Sequence, residues 1–422
     1  MVTLRPLGLL LCCVAAVPGQ TLDERIRKET DAIRARLIET RRDLARHPEL
    51  SNREVWTGKY IADRLRELGF TEVRTNVARH GVVATLRGGK PGPVVAWRAD
   101  MDALPVQDSG EKPFKSQIDG VKHACGHDAH MAIALGVAEV LGKLKAELPG
   151  TVKFLFQPAE EGAPEGEEGG AALMIKEGAL ENPKPAAIFG LHVWSQAPSG
   201  KIHYTPGGAM ASSDGFELTI KGKRVHAATP HLGIDPIVVA AQCVTAMQTI
   251  RSRRVNPLDP IVLTFGSIHG GNRGNIIPDS VTLQGTLRTL DEKIRESARS
   301  MVRQTLEGCT AGSGASYEFK WNATVYPVTF NDPELTQGNL GALQRVMGPG
   351  NVELARPTMG AEDFSFYTRV VPGFFWFLGI ADAAKGTTGA HHTSEFAVDE
   401  DVLPLGVRAA AGQIVDFLIR GK

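Results

Sequence analysis

The sequence predicts an α/β protein in which a larger domain is interrupted by a smaller, ferredoxin-like α/β unit. Apolar runs at 94–99, 152–156 and 187–191 read as buried strands, with a helical stretch at 131–144 between two of them. Strands separated by helical crossovers build a parallel or mostly parallel sheet. Residues 216–221, 261–268, 280–287 and 317–321 are also strand-like, interleaved with helical stretches at 235–251 and 291–308. That strand–helix–strand–strand–helix–strand order is a split βαβ unit. From Pro333 the pattern of the larger domain resumes, with a helix, a strand at 374–380 and a final helix at 403–419. The larger domain is therefore expected at 20–211 plus 329–422, with the insert at 212–328.

Residues 1–19 have the pattern of a secretory signal peptide. Arg5 is the lone charge, the apolar run 7–17 follows, and Pro18, Gly19 and Gln20 make a small-residue exit. The run is shorter than the ~20 apolar residues that span a bilayer. A lipid anchor at Cys12 is a second reading, but Leu11 is not the small residue such processing needs. Cleavage near Gly19 would export the protein, to a periplasm or out of the cell. In 22–69, Ile26, Ile33, Leu37 and Leu44 keep helical spacing, and Ile61, Leu65 and Leu68 repeat it before Gly69 stops the second helix. No segment after the leader reads as a membrane span.

The 422 residues are 42% hydrophobic and 22% charged, which excludes a disordered chain. Lys+Arg and Asp+Glu both total 47, so no net positive field favours nucleic acid. Loss of the leader would leave Cys125, Cys243 and Cys309, an odd number that argues against a pure disulfide framework. Cys243 and Cys309 read as small buried hydrophobes.

In open α/β sheets, ligands bind beyond the carboxyl ends of the strands. Asp100 and Asp102 follow 94–99, Glu160 and Glu161 follow 152–156, His192 follows 187–191, and His391 and His392 come after 374–380. His123-Ala-Cys-Gly-His-Asp128 precedes the helix at 131. Five segments thus bring His, Cys, Asp or Glu to one sheet edge, and metal sites need such convergence of N, O and S donors. Adjacent glutamates allow a division of labour, because neighbours in an extended stretch point to opposite sides. One can bind metal while the other takes a proton from an activated water. Cys125 also permits a thiolate nucleophile with a histidine base, a reading that leaves the glutamate pair and His192 without roles. The absence of any Cys-x-x-Cys pair weighs against a zinc ribbon.

These segments resemble the N-acyl-amino-acid amidohydrolases of hippurate hydrolase and auxin-conjugate hydrolase type, in the two-metal aminoacylase–carboxypeptidase clan. The resemblance runs over nearly the whole mature chain. It rests on Arg41-Arg-Asp-Leu44, His47-Pro-Glu-Leu50, Arg98-Ala-Asp-Met-Asp-Ala-Leu-Pro105, His123–Asp128, Gln157-Pro-Ala-Glu-Glu-Gly162 and Gly190-Leu-His-Val-Trp194. It continues through His226-Ala-Ala-Thr-Pro-His231, Gly274-Asn-Ile-Ile-Pro-Asp279, Gly285-Thr-Leu-Arg-Thr289, Gly360-Ala-Glu-Asp-Phe364 and the stretch 392–400.

The resemblance implies a mixed-sheet metallopeptidase catalytic domain carrying an inserted dimerisation or lid domain. Two divalent metals per subunit, Zn, Mn, Co or Ni, would be held by Cys125, His127, Glu161, His192 and His392, with Cys125 bridging them. Glu160 would be the general acid/base, and Asp102 would orient a ligand from behind. His226, Asn275 and Arg288 match substrate-binding positions, His226 and Asn275 reaching across a homodimer. The implied substrate is an N-acyl-L-amino acid or a short peptide, and a carboxypeptidase or dipeptidase on the same scaffold is the alternative. Val225 replaces the family's glycine before His226, and His392-Thr-Ser-Glu-Phe396 departs from the commoner His-Ser-Pro-x-Phe. The long acidic loop at 162–170 is expected to add negative charge near the site and disfavour anionic substrates.

Overall fold

The computed structural model describes residues 21–323 and 325–421; the expected leader, 1–19, lies outside them. The first helix, Leu22–Arg46, begins at a capping box in which Thr21 and Glu24 satisfy each other's backbone N–H. Its buried stripe includes Ile26, Ile33, Leu37 and Leu44. Helix Val55–Glu67 follows, and Gly69 turns the chain out of it at φ +87°.

The large sheet has eight strands in the order Glu72–Val77, Gly81–Arg87, Pro149–Gln157, Lys90–Asp100, Ala187–Pro198, Gly373–Ala381, Ile202–Tyr204 and Val352–Leu354. Its middle four strands are parallel neighbours, while the first two join them antiparallel. The sheet is therefore mixed. The four short or outer strands at 72–77, 81–87, 202–204 and 352–354 are not among the strands expected from sequence, because they lack the long apolar runs of the buried centre.

Period-two alternation splits the central strands between two cores. Trp97, Phe154, Phe189 and Trp376 point to the face covered by Leu22–Arg46, His127–Leu144 and Val402–Arg420. Ala96, Leu155, Ile188 and Phe375 point to the other, against Met174, Phe364 and Tyr367. Helix Val402–Arg420 does meet the length and composition of a membrane span, contrary to the sequence expectation, but 78% of its apolar window is buried inside the protein. Phe417 meets Phe189 edge-on, and Gln413 accepts a hydrogen bond from the indole of Trp376. It is a core helix, and its apolar faces are covered by the sheet and the neighbouring helices.

The insert forms a four-stranded antiparallel sheet in the order Ile261–Gly270, Ser280–Thr289, Asp214–Lys221, Ser316–Trp321. Helices Pro236–Thr249 and Glu292–Ala311 supply the crossovers, each started by an aspartate, Asp235 or Asp291, that caps the first turn. This unit has its own core, built around Leu218, Leu283, Leu306 and Cys243, with Cys309 packed against it. Chain entry and exit run side by side, with Ser213 pairing Tyr326.

Because Leu283 is wholly buried in the insert core, Leu283→Ala is expected to destabilise that unit by about 2–5 kcal/mol. Urea unfolding followed by circular dichroism checks this, with metal content of the folded protein expected to be unaffected.

Candidate metal centre

The tips of the parallel strands deliver the donors. Strand Lys90–Asp100 ends at Asp100 and runs on to Asp102. Helix His127–Leu144 starts ahead of its apolar pattern, placing His127 in the first turn. Its cap, Gly126, has φ +96°, and a Cβ there would lie 2.3 Å from Val193. Only glycine lets Cys125 and His127 flank so tight a turn. His192 lies within strand Ala187–Pro198 rather than after it, and points to the same edge. Glu160 and Glu161 occupy a turn, not an extended stretch, entered through Ala159 at φ +55°, and both carboxylates come within 4.8 Å of His127. His392 is also left-handed, at φ +65°.

The five sequence-predicted ligands come together. Cys125 Sγ lies 3.3 Å from His192 Nε2 and 3.3 Å from His392 Nε2. His392 Nε2 is 3.2 Å from Glu161 Oε1. Two donor groups result, Cys125–His127–His192 and Cys125–Glu161–His392, each with its ligand atoms within 4.8 Å of one another. Cys125 is common to both.

Hydrogen bonds select which histidine nitrogen is available. His127 Nδ1 donates to the main-chain oxygen of Asp102 at 2.8 Å, so Nε2 is the nitrogen turned to the donor groups. His192 Nδ1 likewise donates to Val193 O at 2.6 Å. Asp102 stands behind His127 as expected, its carboxylate accepting from Ser51 at 2.7 Å and from the Glu161 N–H at 3.0 Å. Two other histidines are already engaged. His130 Nδ1 donates to Asp100 at 2.6 Å while its Nε2 accepts from the Val193 N–H at 2.8 Å. His391 accepts from the Ser195 N–H at 3.1 Å and packs on Trp194 and Phe396.

The donor set fits divalent cations. His127 Nε2 is buried without a hydrogen-bond partner among the described residues, and Glu161 Oε1 has only the His392 ring, another donor, beside it. Burial opposes protonation of His127, yet Asp100, Asp102 and Glu161 push it up to about 10. The pocket thus holds a negative potential that calls for positive charge. Burial and then Glu161, Glu160 and Asp100 push the Cys125 thiol well above its ordinary range. An unassisted thiolate nucleophile does not form in such surroundings.

Glu160 sits beside the ligands, its Oε2 3.8 Å from His127 Nε2. Burial and the neighbouring Glu362, Glu161 and Asp363 raise its proton affinity well above that of a free glutamate. Tyr326 donates its hydroxyl to the Glu160 main-chain oxygen at 2.7 Å. Behind Glu160 the fully buried Arg98 reaches Asp100 at 2.5 Å, Glu362 at 2.8 Å, Asp363 at 2.7 Å and the Gln157 side chain at 2.9 Å. Sequence reasoning assigns no role to Arg98, Glu362, Asp363 or Tyr326. Arg98 and Gly360-Ala-Glu-Asp-Phe364 are visible as motifs, but their pairing spans 264 residues of chain.

Other expected site residues lie elsewhere. His226 and Asn275 are exposed on the insert, where Ile276 pairs with His226 in a two-stranded ribbon. Neither hydrogen-bonds to the donor cluster within this chain; His226 Nδ1 instead accepts from the Ala228 N–H. Arg288 is partly buried, donates to Met359 O at 3.2 Å, and pairs with no carboxylate among the described residues. Two of the three glutamates in the acidic loop are paired with cations, and the third, Glu165, is exposed. Glu167 is clamped by Arg53 and Asn52, which lower it to about 2, and Glu168 pairs with Lys176.

The family described as Peptidase family M20/M25/M40 matches residues 96–415, the span that holds every one of these donors. The chain belongs to this peptidase family. "Thermostable carboxypeptidase 2" of Saccharolobus solfataricus is 40% identical over 397 residues, 94% of this chain and 99% of that protein. An "N-acetylcysteine deacetylase" of Bacillus subtilis is 40% identical over 372 residues, covering 88% and 94%. A solved structure of a dinuclear metal-binding peptidase of the M20 family, also from Bacillus subtilis, superposes with a TM-score of 0.79 at 36% identity, covering 92% and 99%. In this M20 chain, as the motifs imply, the metal-type donors sit on one sheet edge.

Removing a buried cation from among buried acids is costly. Arg98→Met is expected to destabilise the protein by about 3–5 kcal/mol in denaturant titration. A loss below about 1 kcal/mol would mean that protons, rather than Arg98, neutralise those acids.

Proposed function

We propose that this chain is a metal-dependent amidohydrolase that cleaves N-acyl-L-amino acids, hippurate-like or N-acetylated, to a carboxylate and a free amino acid. The observation that carries this reading is Glu160, a buried carboxylate next to the donor cluster but absent from the two groups that share Cys125. Cys125, His127, Glu161, His192 and His392 would hold two divalent cations, which would supply Lewis-acid polarisation of a water and of the substrate carbonyl. The mixed N, O and S donors accept Zn, Mn, Co or Ni.

Glu160 takes the proton of the attacking water and passes it to the leaving amine. Its raised proton affinity suits a group that must hold that proton between the two transfers. Tyr326 and Asp102 hold the two polar ends of the Glu160–Glu161 peptide. Arg288, a guanidinium without a carboxylate partner, is suited to the substrate's carboxylate. His226 and Asn275 would come from a second subunit, His226 donating to the carbonyl oxygen as it gains charge.

Dimerisation through the insert is supported by its exposed edge strand, Ile261–Gly270, and by the exposed Ile237, Val238 and Ile268. The leader-like residues 1–19 support export. A carboxypeptidase or dipeptidase is the second reading, favoured by the 40% identity to the archaeal carboxypeptidase. A panel of N-acyl amino acids and dipeptides separates the two.

Chelation is expected to abolish amide hydrolysis and a divalent ion to restore it; activity surviving complete metal removal would return the role of nucleophile to Cys125. Glu160→Gln is expected to keep its metal and lose about 10²–10⁴-fold in kcat. Near-normal turnover at full metal content would rule Glu160 out as the base. In sedimentation the active species is expected to be a dimer, and a fully active monomer would exclude a shared site.

A further inference from the structure

Three consecutive residues around Glu160 have main-chain groups anchored by side chains from distant segments. The Ala159 N–H donates to Glu54 Oε1 at 2.8 Å, the Glu160 carbonyl accepts from Tyr326 at 2.7 Å, and the Glu161 N–H donates to Asp102 at 3.0 Å. Ala159 is buried and held at φ +55°. An alanine in the left-handed region is strained, because its Cβ crowds the following carbonyl. Something must hold it there, and Glu54 is the side chain that does. Its carboxylate is fully buried, and it reaches Ala159 across 105 residues from the cap of helix Val55–Glu67.

From this we infer that Glu54 is a positioning residue for the reaction: by accepting from the Ala159 N–H it holds the left-handed residue that aims Glu160 at the metal edge. The aim of Glu160 matters because it stands between two clusters, sharing His127 with Glu161 and also lying beside Glu362 and Asp363. Glu161 faces His392, and Glu160 faces His127 on one side and Glu362 on the other. If Ala159 relaxed to an ordinary negative φ, the following peptide would swing and carry the Glu160 carboxylate away from the metal edge. Glu54 never touches substrate in this account. It acts through the backbone, and the inference rests on Glu160 being the acid/base proposed above.

The test separates hydrogen-bond acceptance from charge and volume. Glu54→Gln and Glu54→Met both remove the charge and keep most of the volume, but only glutamine still offers an oxygen to the Ala159 N–H. Kinetics and metal content of the metal-loaded enzymes are compared with those of Glu160→Gln. Glu54→Met is expected to lower kcat about a hundredfold, with KM and metal content close to wild type, since a misaimed catalytic group costs about that much. Glu54→Gln is expected to keep most of the turnover. Adding Ala159→Gly to Glu54→Met should recover roughly tenfold, because glycine adopts the left-handed conformation without strain.

That recovery distinguishes positioning from general packing, which a glycine at 159 would not repair. Equal losses in the Gln and Met variants, or no recovery with Ala159→Gly, would overturn the positioning role while leaving Glu160 as base. Normal turnover in Glu160→Gln would remove the base itself, and the role of Glu54 with it.

Discussion

Glu54, Asp100, Asp102, Glu160, Glu362 and Asp363 are each buried at the same edge of the sheet, and a single buried guanidinium, Arg98, is set among them. Ionised carboxylates out of water must be paired, protonated or bound to metal. Arg98 serves one side of the group, joining Asp100 on its own strand to Glu362 and Asp363 far along the chain. The other side faces Cys125, His127, His192 and His392, where His127 Nε2 has no hydrogen-bond partner among the described residues. The site is thus a charge problem with two solutions, one built into the chain and one supplied by cations.

The fold makes that concentration of charge tolerable. Parallel strands end together at one edge, so residues that follow each strand share a rim without lying close in sequence. Two apolar cores fill the faces of the sheet and keep water from the backs of the acids. Main-chain groups then do much of the positioning. The Asp102 carbonyl orients His127, the Val193 carbonyl orients His192, and the Val193 N–H occupies His130. Each side chain therefore presents one defined atom to the centre, which a metal site needs more than it needs a particular number of donors.

The insert is held together independently. Its core shares no residue with the two cores of the larger domain, and its two main helices are each capped by an aspartate. It carries His226 and Asn275 on an exposed ribbon.

By itself the sequence determined the element types and the donor chemistry. Period-two and helical spacing express which faces are apolar, and this property is local, so the split βαβ order of the insert and the central strands were legible. Donors were legible because only Cys, His, Asp and Glu ligate metals well and because they follow the strands. Which histidine nitrogens are already taken by main-chain N–H groups was decided by tertiary structure. His130 and His391 are as competent as His127 and His192 in isolation, and only hydrogen bonds to Val193 and Ser195 take them out of play. The same holds for the acids. Glu167 looked like site charge until Arg53 claimed it, while Glu362 and Asp363 became part of the centre only when Arg98 folded onto them. Orientation and charge pairing are set by partners remote along the chain, and no local pattern encodes them.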